Sequence, residues 1–274
     1  MQHEIHLGED FRPKRLRAYW VPENLKPEVR KAIQQMLDLG IIKPSKSEMA
    51  SPIVCVLKGK AGQDGFRIAA DYRYLNKHYE GDAYPLPNVD DVIQRVGKVN
   101  WISTFDLKGA HLNIPVKPEH QWLTAFVWDE GLYEFTRAPY GQKGSGCTFV
   151  RVLQHVLQPI KEFAESYVDG ISVFSDLWRS HLAHIEKFLQ VIKDSGFVLN
   201  LKKTSLAQSQ VKFLCHIIGS GQHKADLDKV KVVHEMKRPE NKKQVRQVVG
   251  FFSYFRDYIP DFSAIAKLLK HSLG

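Results

Sequence analysis

"AESYVDGISVF", residues 164–174, places two short β-prone runs, Tyr167-Val168 and Ile171 to Phe174, on either side of the dipeptide Asp169-Gly170. Asp-Gly in that setting is the strongest short-range signal for a two-residue hairpin, because glycine takes positive φ without steric cost. As a turn, the dipeptide needs no functional explanation. The same spare reading covers Asp106 in "WISTFDL" (101–107), where Trp101, Ser103 and Phe105 alternate with Ile102, Thr104 and Asp106. That period of two predicts a strand, with Asp106 at its end on the face of Ile102. A single aspartate at a strand end is usually a cap or a turn residue. Whether these two do chemistry depends on what surrounds them.

Working outward, residues 1–24 show no periodicity and carry Pro13 and Pro22, which predicts an extended lead-in. "PEVRKAIQQMLDLG" (27–40) spaces Val29, Ile33, Met36 and Leu37 as a helix and ends on Gly40. "SPIVCVLK" (51–58) and "FRIAADYR" (66–73) read as strands joined by the glycine-rich "GKAGQDG", with Lys58 before that turn, Lys60 in it and Arg67 after it. "NVDDVIQRVG" (88–97) reads as a short helix capped by Asn88 and ended by Gly97. "GLYEFTRAPYG" (131–141) gives a strand and a turn, and the helix after it is expected to bury Phe149, Val152, Leu153 and Val156. Leu182, Ile185, Leu189 and Ile192 mark a helix stopped by Gly196. Beyond residue 225 the pattern is helical, with Val245, Val248, Val249 and Phe252, then Phe262, Ile265 and Leu269, as the apolar faces. Strands mixed with helices, followed by an all-helical tail, make an α+β body with a helical appendage.

The 274 residues are 43% hydrophobic and 25% charged, which excludes a disordered chain. Three scattered cysteines, Cys55, Cys147 and Cys215, argue for reduced thiols and an intracellular setting rather than a disulfide framework. "MQHEIHLGED" has no basic region followed by an apolar stretch, so no signal peptide is read, and no run approaches the roughly 18 apolar residues of a membrane helix. The net charge of +9 is unevenly placed. Residues 201–274 hold 14 Lys/Arg against 6 Asp/Glu, a net of +8, while the first 200 residues are nearly neutral. A basic C-terminal quarter points to a polyanionic partner.

The segments now in view are similar, in order and along nearly the whole chain, to the reverse transcriptase of gypsy-type retrotransposons and retroviruses. "LGIIKPSKSEMASPIV", "DYRYLNK", "DAYPLPNVDD", "STFDLKGAHLNIPV", "TAF", "GLYEFTRAPYG", "YVDG", "HLAHIEKFLQVIKDSGFVLNLKK" and "FFSYFRDYIPDFSAIAKLL" carry the resemblance. It implies a right-hand polymerase core: mainly fingers over 25–100, mainly palm over 101–218 with part of the fingers around 115–150, and a basic helical thumb over 219–274. The implied reaction joins a deoxynucleotide to a primer 3′ end on an RNA or DNA template. Two Mg²⁺ (or Mn²⁺) ions about 3.5–4 Å apart clamp the attacking and leaving oxygens. By the same match Asp106, the backbone carbonyl of Leu107 and Asp169 are the metal ligands, so Asp169 is both a turn residue and a ligand. Lys60 (or Lys58, since the turn length fits either), Arg67 and Lys203 are matched to the triphosphate, Tyr140-Gly141 to the surface under the incoming nucleotide, and His111 to the sugar. Primer–template and deoxynucleoside triphosphates are the implied partners, in the cytoplasm or a virus-like particle. The resemblance includes no ribonuclease H, protease or integrase.

Several positions depart from the family pattern. Gly170 stands where a second hairpin aspartate is expected. Asp176, seven residues past Asp169, is about 23 Å along an extended strand, and Glu165, four residues back, about 13 Å, so neither is placed to substitute. His111 replaces the family's Tyr or Phe. "YGQKGSG" (140–146) replaces "FGLKNAP", Val150 a glutamine, and Cys215 a glycine. The departures lie at the site more than in the core, so the chain is expected to fold with impaired catalysis, or to act as a non-catalytic nucleic-acid-binding remnant. His181 and His184 lie at helical spacing and Cys215-His216 are adjacent, but no second pair has zinc-ligand spacing, so zinc is not expected.

Overall fold

The computed structural model describes residues 1–57, 66–82, 84–85, 88–167, 170–213, 216–219, 222–225, 233 and 236–271. In chain order the elements are α1 (Lys26–Asp38), β1 (Ile42–Pro44), β2 (Ser51–Leu57), β3 (Phe66–Ala70), α2 (Arg73–His78), α3 (Val89–Gly97), β4 (Trp101–Asp106), β5 (Phe126–Trp128) and β6 (Gly131–Phe135). They continue with α4 (Ser145–Leu157), β7 (Ala164–Tyr167), β8 (Gly170–Ser175), α5 (Trp178–Ser195), β9 (Ser205–Gln208), β10 (Val211–Phe213), β11 (His216–Gly219), β12 (Gln222–Ala225), α6 (Lys242–Ser253) and α7 (Phe262–His271). The α+β class is as expected. The chain divides into two compact units, one of Met1–Pro87, Phe105–Ile171 and Glu186–Thr204, the other of Asn88–Thr104, Ser172–Ile185 and Ser205–Gly274.

In the first unit a five-stranded sheet runs β1-β6-β5-β2-β3, with β2 parallel to β5 and antiparallel to β3. Its core gathers Val29 and Ile33 from α1 with Met49, Ile53, Leu75 and Phe126. Buried Tyr72 also satisfies its hydroxyl there by donating to the Thr124 carbonyl at 2.7 Å. The lead-in is extended and packed: Ile5 and Val21 are buried, and single bridges tie His3 to Val116, Leu7 to Tyr79 and Arg15 to Ala50.

The strand expected over 66–73 stops at Ala70. The Asp71 carboxylate accepts the Arg73 amide at 3.2 Å, which turns the chain into α2. The Arg73 guanidinium donates back to both Asp71 oxygens, holding that carboxyl well below the usual carboxylate range, and the Tyr19 hydroxyl donates to it as well.

In the second unit β10, β11 and β12 form an antiparallel meander, so the stretch 219–274, read as helical, opens with the end of β11 and with β12. Two side-chain bonds start α6: the N-cap Asn241 accepts the Gln244 amide at 2.9 Å, and the Gln244 side chain accepts the amide of the preceding Glu240 at 2.7 Å. Val245 and Val249 of α6 pack on Phe262 and Ala266 of α7.

A further sheet has the order β7-β8-β4-β9, with Ile102 opposite Gln208 and Thr104 opposite Ser205. The division between units falls within β4, β8 and α5. β7 and β8 are neighbours in this sheet, and β8 begins on Gly170.

Three helices bury only part of the faces expected. On α5 the buried residues are His181, Phe188 and Ile192, while Leu182 and Leu189 are exposed. On α4 Phe149, Val150, Leu153 and Leu157 are buried and Val152 and Val156 only partly so. On α7 Ala266 is buried and Ile265 and Leu269 are exposed.

Candidate active site

Asp106 closes β4 in the first unit, half-buried, where backbone pairing continues past the strand. Leu107 bridges Leu199: the Asp106 carbonyl accepts the Asn200 amide at 2.8 Å and the Lys108 amide donates to the Val198 carbonyl at 2.7 Å. In an antiparallel pair of this kind the central residue's own carbonyl points to the opposite edge. The Leu107 carbonyl therefore faces the side of β4 on which β8 lies.

Two side chains address the Asp106 carboxylate. The Asn200 amide nitrogen donates to Oδ2 at 3.3 Å, and Lys203 Nζ lies 3.3 Å from the same oxygen. Lys203 is largely exposed, so this ion pair is open to exchange with another charged partner. The carboxylate and the Leu107 carbonyl are hard oxygen donors, the chemistry that Mg²⁺ or Mn²⁺ takes. Asp169 lies outside the described residues, and β8 begins on Gly170, which brings no side chain to that end of the strand.

The turn after β6 carries the other candidates. Gly141 sits at φ +87°, the left-handed region that favours glycine, and its carbonyl accepts the Asn76 side-chain amide at 2.8 Å. Asn76 also accepts the Lys143 amide at 2.8 Å, so α2 clamps the turn from both sides. The His111 ring lies 5.1 Å from that of Tyr140 and 5.4 Å from that of Phe149. A cavity of about 240 Å³ opens beside Tyr140, lined by Met36, Ile68, Ala70, Leu112 and Phe135. Arg67 is placed by its backbone in β3, opposite Val56. Its side chain, Lys58, Lys60 and Cys215 lie outside what the structure describes.

The "YGQKGSG" departures form one hydrogen-bonded set. Buried Gln142 accepts at Oε1 from the Gly144 amide at 3.1 Å, the Ser145 hydroxyl at 3.0 Å and His3 Nε2 at 2.8 Å. Thr148 completes the set at His3 Nδ1, 2.9 Å away. A side chain at Gly144 would collide with the Tyr79 ring, so glycine is required there. Gly146 is the second residue of α4 rather than the residue before it, and open space surrounds it.

Burial lowers the His3 pKa from 6.5 to about 4, against the pull of its Gln142 hydrogen bond. A histidine with a depressed folded pKa contributes fully above the unfolded value and loses that contribution as pH falls. Urea titrations are therefore expected to show the His3 contribution to stability falling between pH 6.5 and about 4, by about 3 kcal/mol at most. His3→Gln should flatten that window. An identical pH dependence in the two proteins would contradict it.

His181 and His184 have structural roles. Fully buried His181 exchanges hydrogen bonds with the Ser103 hydroxyl at 2.9 Å and the Ser175 hydroxyl at 3.0 Å, and Ser175 meets His184 at 2.8 Å. Burial holds the His181 pKa down. His216 pairs with the Tyr258 hydroxyl at 2.8 Å.

Of the residues expected at the site, the structure brings Asp106, Leu107 and Lys203 together in one place and His111 and Tyr140 in another. Asn200, His3 and Gln142 were not read as a supporting set. Asn200 stood within "LNLKK" and Gln142 within a recorded departure, but nothing in the sequence announced their partners.

The segment order and the fold agree with known proteins. The family model described as "Reverse transcriptase (RNA-dependent DNA polymerase)" matches residues 57–218. The retrovirus-related Pol polyproteins of the Drosophila melanogaster transposons opus and gypsy are 32% and 33% identical, over 92% and 94% of this chain. The enzymatic polyprotein of cauliflower mosaic virus (strain NY8153) is 32% identical over 100% of it. The chain spans only 26%, 25% and 40% of those relatives' own lengths. Among solved structures, the foamy viral protease-reverse transcriptase in complex with double-stranded DNA superposes with a TM-score of 0.88 at 26% identity, over 98% of this chain and 47% of that one. Its complex with an RNA/DNA hybrid gives 0.82, over 98% of this chain and 36% of that one. The α+β polymerase core is thus the fold of this molecule, and the chain belongs to the reverse transcriptase (RNA-dependent DNA polymerase) family.

Proposed function

We propose that the chain is a polymerase core that extends a primer on an RNA or DNA template, at a rate held down by Gly170. The observation that carries this reading is the setting of Asp106: a carboxylate at a strand end, backed by Asn200, facing an exposed cation on Lys203, with the Leu107 carbonyl beside it. Asp106, Asp169 and that carbonyl would hold the divalent ions, Mg²⁺ or Mn²⁺. Those ions, when bound, stabilise charge on the attacking and leaving oxygens. Asn200 fixes the carboxylate's orientation, and Lys203 keeps its charge balanced until a triphosphate offers a stronger partner.

Lys60 and Arg67 are assigned to the triphosphate, Tyr140-Gly141 to the surface under the incoming nucleotide and His111 to its sugar. Fingers, palm and thumb are assigned to 25–100, 101–218 (with fingers around 115–150) and 219–274. In the thumb, Lys237, Arg238, Lys242, Lys243 and Arg246 suit phosphate contacts that position a duplex without reading its sequence. The foamy viral complexes support primer–template as the partner. Among the described residues no helix is long and apolar enough to cross a membrane. Action inside the cell, in cytoplasm or a virus-like particle, fits the free thiols of Cys55 and Cys147 among the described residues.

A second reading, a nucleic-acid-binding remnant without turnover, is favoured by one observation: the site has glycine where a third carboxylate would complete it. Single-nucleotide extension with Mg²⁺ or Mn²⁺ separates the two. Asp106→Asn is expected to remove all extension while leaving duplex binding in place. Extension that survives that substitution would show that the activity belongs elsewhere.

A further inference from the structure

The extended N-terminal segment is held closely against the first unit. The His3 amide donates to the Pro115 carbonyl at 2.8 Å, and its carbonyl accepts the Lys117 amide at 2.9 Å. The Ile5 amide donates to His120 Nδ1 at 3.0 Å, the His6 carbonyl accepts the Glu80 amide at 3.0 Å, and the Gly8 amide donates to the His78 carbonyl at 3.1 Å. These bonds fix where the His3 ring lies: fully buried, with one nitrogen on Gln142 and the other on Thr148. Gln142 Oε1 serves three donors, whereas Gln142 Nε2 is buried with no acceptor among the described residues. Turning the amide over would set its NH₂ against the Gly144 N–H, so the orientation is fixed by the oxygen alone. With that oxygen accepting, His3 donates from Nε2, and the neutral ring that burial favours accepts at Nδ1 from the Thr148 hydroxyl.

We propose that His3 is a positioning residue for the nucleotide-site turn: its Nε2–H holds Gln142, and Gln142 in turn holds the Tyr140–Ser145 loop against the start of α4. Gln142, Gly144 and Ser145 each depart from the family pattern, yet they satisfy one another around a single oxygen. The extended N-terminal segment thereby supports the turn rather than serving only as a tether leading to it. That the turn serves the incoming nucleotide rests on the function proposed above. That His3 orders the turn does not.

Two measurements on the full chain keep those statements apart. Amide hydrogen exchange of residues 140–148 is expected to accelerate by on the order of tenfold or more in His3→Leu, with other segments unchanged. His3→Gln, which keeps a donor at the same reach, should retain protection. Equal exchange in the parent and His3→Leu overturns the proposal, as does loss of protection in His3→Gln equal to that in His3→Leu. The second readout is retention of a dideoxy-terminated primer–template on addition of the next complementary nucleotide. Apparent nucleotide affinity should fall on the order of tenfold in His3→Leu and be kept in His3→Gln, with duplex affinity unchanged. If His3→Leu loses exchange protection yet holds nucleotide as the parent does, the positioning role is wrong. If the parent retains nothing on nucleotide addition, the nucleotide-site reading fails, and the exchange result still decides whether His3 orders the turn.

Discussion

Gly170→Asp is expected to raise Mg²⁺-dependent primer extension by on the order of 10²–10³-fold over the parent chain. Two divalent cations and a polyanionic triphosphate need fixed carboxylates to balance their charge, and Asp106 with Asp169 leaves that balance one group short. Water would fill the gap, but it does not hold a metal in place as a preorganised ligand does. The substitution should cost little stability, because Gly170 begins β8 rather than lying within it, and it is half-buried. Asp169→Asn, which keeps the shape and removes the charge, should abolish extension in the Gly170→Asp background. Robust extension by the parent chain would show that Gly170 is no impairment. If Gly170→Asp restores nothing, the defect lies further into the pocket, and the remnant reading becomes the better one.

His111→Tyr is expected to increase the preference for deoxy- over ribonucleotides by about 10–200-fold, the range that a single steric misfit supplies. The imidazole packs on Tyr140 and Phe149 and is smaller than a phenol, so under the proposed assignment of His111 to the sugar it would leave more room for a 2′-OH. A phenol on the same backbone fills that room. Single-nucleotide incorporation, compared for the two sugars in the Gly170→Asp background, reads the effect. An unchanged ratio would remove the residue from the sugar's surroundings.

Much of the fold is local and could be read from the chain. The alternation over 101–106, the spacing of Val29 and Ile33, and the short apolar runs around Asp169-Gly170 each express one element's own periodicity. The helix faces were less legible. On α5 the apolar stripe of Leu182 and Leu189 is solvent-facing, and the buried stripe contains His181, a residue that hydrophobicity counts as polar. Ser103 from β4 and Ser175 from β8 bury that ring by satisfying both of its nitrogens, and neither lies near it in the helical pattern. Periodicity finds the stripes on a helix but not which stripe the neighbouring elements cover. The strand read through 66–73 failed for a related reason, since the turn into α2 comes from a side chain, Asp71, bonding to the backbone two residues on.

The sequence alone determined the α+β class, the order of the segments, the basic C-terminal quarter and the aspartates at risk, because each is carried by composition, by short-range spacing or by a motif. Only the tertiary structure decided what holds Asp106 and what holds the turn. Asn200 reaches Asp106 across 94 positions, and His3 reaches Gln142 across 139. A hydrogen bond of that span leaves no periodic trace in the chain. It exists because packing brings a donor within about 3 Å of an acceptor, and at His3 and Gln142 it does so where water does not reach and leaving either group unpaired is costly.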